Sequence, residues 1–460
     1  MKIAFIIITI ACCCLMFVVR RETKAALLVA GAMTLTLVDV PGIPLHRANY
    51  LLPVAFLISE LRELADHFRL LLERWWVGGL MLLAIITALI TALTSTYVGT
   101  VDVLRSELLF KYFALVYAFW AVRGEMSLKP LLQVTLGCIV VLTIFGMMNY
   151  LAKSADVVNA LTAGKTSAII EDTALGDVYM ESKRFRVQSL FRFSFDYGYT
   201  CTLILLLHLW AWHRRMENWQ MLAVVVVCSL FGIMTCECRI VWLCCFVTVS
   251  GFYLWSFPLS RNVIAGIFVI YLFLFSYTSI PVVQKKVDMV TDVFKKNSQT
   301  GGSSMDMRMN QMAMTLKYID GYELTGRGRG YFRNSRTNET GKTEGLQGLE
   351  SVIFQQLLER GIIGLVLWMA FYSWIGIVFW RNRKQHRLLT GLGMAILADY
   401  LLFAIGTGEL GSAYPTLLML GIVLKTIEFK KDTSNLAMFL LIIIYAQNKT
   451  TDIGHSDTSL

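Results

Sequence analysis

Charge is scarce in this sequence. Asp, Glu, Lys and Arg together make up 16% of the 460 residues, against 56% hydrophobic residues. That balance excludes a soluble protein of this length. No extended soluble domain separates the apolar runs. The two long polar segments contain no cysteine, and all ten cysteines lie in or at the ends of apolar runs, as in Cys12–Cys14 and Cys244–Cys245. A disulfide framework is thereby excluded, as is a zinc site of His and Cys at the usual spacing. There is no Walker motif, no Rossmann glycine fingerprint and no internal repeat.

What remains is apolar sequence in repeated blocks. A helix needs about 20 apolar residues to cross the hydrocarbon core. In lipid it also satisfies its own backbone groups. Candidate spans are Ile3–Val19, Ala25–Val40, Tyr50–Ser59, Val77–Tyr97, Leu108–Val122, Leu131–Leu151, Tyr197–Trp212, Met221–Thr235, Ile240–Phe257, Val263–Ile280, Ile362–Trp380, Leu388–Thr407 and Tyr414–Ile427. The expectation is an all-α polytopic membrane protein, a single membrane domain over residues 1–460, with about 13 (12–14) crossings. The run Leu436–Ala446 is too short to span alone; a half-helix, an interfacial helix and a fourteenth span all stay open. The first run has the length of a signal peptide. No small-residue cleavage pattern follows it, and Arg20 and Arg21 come after it, so it is expected to be a retained helix.

Short loops rich in Lys and Arg set the orientation. Arg20, Arg21 and Lys24 follow the first span, Arg62, Arg69 and Arg74 the third, Arg123 and Lys129 the fifth, and Arg214 and Arg215 the seventh. Arg261 follows the ninth, Arg381, Arg383, Lys384 and Arg387 the eleventh, and Lys425, Lys430 and Lys431 the thirteenth. All of these loops fall on one side, which is therefore cytoplasmic. The net charge of +10 then reports positive-inside loops rather than nucleic-acid binding. Two long segments, 152–196 and 281–361, share the opposite side, and loops this long between membrane helices usually carry function. In a cysteine-free background, Thr300→Cys should react with an impermeant thiol reagent in intact cells, and Lys384→Cys should not. The reverse pattern would overturn this topology.

The first long loop ends in KRFRVQSLFRFSFDYGYT, with Lys183, Arg184, Arg186 and Arg192 just before a span. Guanidinium groups bind phosphate oxygens as planar forks; contact with lipid head groups is the alternative for Arg184 and Arg192. Glu237 and Arg239 sit at the outer boundary after the eighth span. A charge there needs a partner, a polar cavity or a route to the surface. In the second loop, Met305–Tyr318 reads as a short amphipathic helix with Arg308 in its first turn. The glycine turn that follows carries Arg327, Gly328 and Arg329. Alternating glycines allow backbone amides to converge on an anion, and a simple basic turn is the other reading. A helix along the outer surface then runs from near Glu350 into the membrane, with Gly361 and Gly364 permitting a bend or close packing. Glu350 suits either a helix N-terminal dipole partner or a base for a hydroxyl. Glu359 reads as a surface or helix-pairing charge.

These segments, in this order, resemble the O-antigen ligase/polymerase superfamily of bacterial envelope polysaccharide enzymes. Residues 186–191, RVQSLF, are similar to its Arg-x-x-Gly-x-Phe segment, with Ser189 in the glycine position. Cys238–Arg239 resembles its Ser-Arg pair. Arg308 and the LTGRGRG run at 324–330 resemble its arginine helix and glycine turn, and Glu350–Ser351 with ERGIIGL at 359–365 its closing helix. The likeness covers roughly residues 180–370; before that the match is only one of membrane helices. The resemblance implies a GT-C-like membrane glycosyltransferase in the bacterial inner membrane, working at the periplasmic face on a glycan carried by undecaprenyl pyrophosphate. No cofactor or metal is implied, and a chain-length regulator is a conceivable partner beside membrane lipids. Arg186, Arg239 and Arg308 would stabilise the pyrophosphate leaving group and Glu350 would meet the acceptor hydroxyl, with Arg184, Arg192, Arg327, Gly328 and Arg329 binding substrate. Ligases of the superfamily carry histidine where this chain has Glu350, and none of its six histidines lies in the second long loop. That favours a repeat-unit polymerase over a ligase acting on lipid A-core. A polysaccharide flippase is the rival from another class; Asp399, in the middle of a span, is its best support.

Overall fold

A computed structural model describes residues 2–38, 48–73, 75–122, 124–154, 186–258, 284, 305–331, 349, 351–408 and 411–428. Every regular element among them is helical. The helices are α1 (Lys2–Val18), α2 (Arg21–Thr34), α3 (Ala48–Ser59), α4 (Leu64–Glu73), α5 (Trp75–Leu93), α6 (Thr100–Leu104), α7 (Phe113–Ala121), α8 (Leu128–Ala152), α9 (Ser194–His213), α10 (Trp219–Thr235), α11 (Arg239–Ser256), α12 (Met305–Ile319), α13 (Val352–Asn382), α14 (Arg387–Thr407) and α15 (413–428). A wider π-helical stretch, Arg105–Tyr112, joins α6 to α7.

Five of these helices are long and apolar enough to cross a membrane: α5, α8, α11, α13 and α14. Helices occur at twelve of the thirteen expected positions, but not all at spanning length. At 14 and 12 residues, α2 and α3 extend about 18–21 Å, short of a hydrocarbon core about 30 Å thick. The expected span Val263–Ile280 and the run Leu436–Ala446 lie outside the described residues.

Centrally placed, α9 buries nearly its whole surface within the protein. It packs on α8, α10, α11 and α14, which explains its mixed polarity: Thr200, Thr202 and His208 face protein rather than lipid. The pairs α11–α14 and α13–α14 close one side, and α5 lies along α13. Two glycine turns shape the C-terminal end of α14 and the course of α13. At Gly408 (φ +86°) the backbone turns left-handed and α14 ends, as glycine allows. Inside α13, Gly361 (φ +63°, ψ −164°) breaks the helix between its surface and membrane portions.

Candidate functional site

The chain enters α9 through a tight turn. Val187 N donates to Thr235 O at the end of α10 (3.1 Å), and the Arg186 charge acts on Cys236. Ser189 has φ +54°, a left-handed conformation that costs a residue with a Cβ about 1–2 kcal/mol. This is the position where the resembling family has glycine. The serine hydroxyl offsets that cost by donating to Leu142 O (2.6 Å) in a buried setting. Arg192 comes three residues later, its guanidinium carbon 5.3 Å from the Phe193 ring, and acts on Asp196 in the first turn of α9.

Arg239 opens α11, and its neighbour Ile240 packs against Gly406; a Cβ on that glycine would lie 2.5 Å from Ile240 Cγ1. Arg308, from the first turn of α12, reaches the same place and donates through Nη2 to Gly406 O (2.8 Å). Both arginines are half-buried. Two residues on, a Cβ at Gly408 would stand 3.8 Å from Leu349 O and 4.0 Å from Ser351 N. Those two residues flank position 350. The C-terminal end of α14 therefore gathers the start of α11 beside Arg239, the Arg308 helix and the residues on either side of position 350. Glu350 and Arg184 themselves lie outside the described residues.

The glycine turn does something other than the convergence on an anion anticipated above. Its amides are taken by the broken helix. Arg327 N donates to Leu358 O (2.8 Å) and Gly328 N to Glu359 O (3.0 Å), while Ile362 N and Ile363 N donate back to Glu323 O (2.8 Å) and Leu324 O (3.1 Å). A kink at Gly361 orphans helix carbonyls and amides, and buried orphans are costly. The turn satisfies both sets. Backbone meets backbone so closely that a Cβ on Gly326 would lie 2.4 Å from Arg360 N, and one on Gly361 2.4 Å from Leu324 O. The two glycine-bearing motifs are thus halves of one joint. Gly328 packs on the α5–α6 connection at Thr94 and Thr96, and Arg327 donates to Tyr318 O (2.7 Å) and lies 4.0 Å over the Tyr322 ring.

Charges lock this joint. Glu359 is 4% exposed; it accepts from Gly330 N (3.1 Å) and pairs with Arg329 (2.9 Å). It is a buried tie, not a surface charge. Glu107, 2% exposed, comes from the π-helical stretch and sits 2.6 Å from Arg360 Nη2, 3.2 Å from Arg329 Nη2 and 3.3 Å from Lys111 Nζ. Burial alone would raise the Glu107 carboxyl, but Arg360, Lys111 and Arg329 outweigh it and hold it well below the usual carboxylate range. Sequence reading missed Glu107: nothing within its own span of chain marks it as the partner of residues more than two hundred positions away.

Elsewhere, Glu60, Glu63 and His67 bring ligand atoms within 4.8 Å of one another. Lys24 Nζ is 2.6 Å from Glu60 Oε1, and Arg21 pairs with Glu63, so internal cations already neutralise these carboxylates. Asp399 of α14 is fully buried, 3.5 Å from the Thr248 hydroxyl of α11.

Residues 224–369 match the model of the O-antigen ligase family. The matched stretch is an O-antigen ligase-like domain. That domain is about a third of the sequence; it begins in α10 and ends in α13, and holds Arg239, Arg308, the glycine turn and the Gly361 kink. Arg186, Arg192 and Asp196 precede it and join it through the α9–α10 contact. Comparison with curated proteins gives no match.

Proposed function

We propose that this protein is a polymerase of lipid-linked glycan repeat units, acting at the periplasmic face of the inner membrane. The supporting observation is that Arg308 donates to Gly406 O where Ile240, the residue after Arg239, packs, two residues before the Gly408 contact with Leu349 and Ser351. In this reading Arg186, Arg239 and Arg308 hold the pyrophosphate of an undecaprenyl-linked donor. An acceptor sugar hydroxyl forms the new bond to the donor's anomeric carbon, and the bond from that carbon to the pyrophosphate oxygen breaks. Undecaprenyl pyrophosphate leaves with the electron pair, and the hydroxyl proton passes to Glu350. Arginine suits the growing negative charge because its donors are fixed in place before charge develops. A flippase reading has Asp399 as its strongest support, and that group already has a hydroxyl neighbour in Thr248.

Purified protein given only undecaprenyl-pyrophosphate-linked repeat units should make a ladder of products still attached to that lipid. Single transfers seen only after adding lipid A-core would replace the polymerase reading with the ligase one. Arg308→Lys should cut turnover roughly ten- to a hundred-fold, the value of a charge-assisted contact of about 1.5–3 kcal/mol, because a fork becomes a point charge. Full activity in Arg308→Lys would remove this arginine from the site.

A further inference from the structure

Asp196 is 8% exposed, at the start of α9, and its Oδ1 has no hydrogen-bond partner among the described residues. Ser412, just before α15, is 2% exposed, and its hydroxyl also has none. Buried polar groups normally find partners, so an exception at the start of α9 and another just before α15 ask for a reason. Gly411, the residue before Ser412, is exposed. A Cβ on Gly411 would lie 3.5 Å from Asp196 Oδ2, 3.8 Å from Cγ and 3.9 Å from Oδ1. The whole carboxyl group therefore faces the bare Cα of a surface glycine. Gly408, three residues earlier in the chain, lies near Leu349 O and Ser351 N.

We propose that Asp196 and Ser412 form a subsite that binds hydroxyl groups of a sugar in the glycan chain, entered past Gly411. The proposal rests on the transferase reading above. A carboxylate accepts from sugar hydroxyls, and a serine hydroxyl both donates and accepts, which matches a polyol and not a phosphate. An anion would meet the carboxylate as a like charge. Burial pushes the Asp196 carboxyl up to about 7, with Arg192 pulling it back; Tyr199, one turn along α9, is the other titratable group that senses it among the described residues. A bound hydroxyl donates to the ionised form and so favours it. Glycan binding then weakens as pH falls through about 7.

The test uses the full-length protein in nanodiscs with undecaprenyl-pyrophosphate-linked repeat unit, and reads KM and kcat on either side of pH 7. Asp196→Asn should raise KM about tenfold at higher pH, leave kcat within a few-fold, and abolish the dependence of KM on pH. Gly411→Ala adds one methyl at ordinary contact distance, without backbone strain, and should raise KM by covering the carboxyl. It keeps the proposal falsifiable if Asp196→Asn fails to fold. Unchanged KM in both variants, with activity lost in Arg308→Ala, would overturn the subsite and leave the transferase reading intact. No transfer by the wild-type protein would overturn both.

Discussion

Glu107→Ala should leave little folded protein, a loss of about 3–5 kcal/mol. Arg360 is 2% exposed, bonded to Gln356 and 2.6 Å from Glu107; removing that carboxylate takes a compensating charge from a buried cation. Arg329 keeps Glu359, so the cost falls on Arg360 and on Lys111, which is 8% exposed and also pairs with Glu107. The damage should spread to the Gly361 joint, because Arg360 precedes the kink. Thermal unfolding of detergent-solubilised protein, followed by size-exclusion profile, checks this. Exchanging both partners, Glu107→Leu with Arg360→Met, should recover more stability than either change alone, since an apolar pair leaves no uncompensated charge. The pH dependence has a definite sign. The folded carboxyl is depressed, so its contribution is complete above the unfolded carboxylate range and is lost as pH falls through the folded value. Glu107→Ala should accordingly flatten the acid side of the stability profile. An unchanged melting temperature would show that the network is inert.

Glu350→Gln should keep expression and stability while lowering polymer formation about 10²–10⁴-fold, the range for removal of a positioned general base. Leu349 and Ser351, the residues on either side, lie near Gly408 at the C-terminal end of α14, where the proposed function has the lipid-tethered glycan. Glu359→Gln makes the contrast. It retains an oxygen for Gly330 N but loses the charge that meets Arg329, so it should lower the melting temperature and spare turnover per folded molecule. A fully active Glu350→Gln enzyme would leave the arginines as the main catalytic groups. A Glu359→Gln enzyme with normal stability and no turnover would instead move the base to Glu359.

The candidate site was read from the sequence one segment at a time. Arg186, Arg239 and Arg308 stood out because an arginine beside an apolar helix is costly without a purpose. The bend at Gly361 was legible from glycine itself. The glycine turn was legible as a motif and misleading as chemistry: its flexibility suggested an anion cradle, whereas its amides serve the helix carbonyls of Leu358 and Glu359. Asp196 was passed over because an acidic residue in the first turn of a helix is commonplace. Only its burial and the bare Gly411 beside it give it a role.

The sequence by itself determined that the chain is helical and built for a bilayer, and the order in which its arginines and glycines come. Apolar run length and the identity of neighbouring residues decide those properties locally. Tertiary structure alone decided which helices reach spanning length and which, like α9, are enclosed by others. It alone paired residues 323–328 with 358–363, and Glu107 with Arg329 and Arg360. Whether an amide or a carboxylate meets a ligand or the protein's own backbone depends on what packing brings within 3 Å of it. No local pattern encodes that distance.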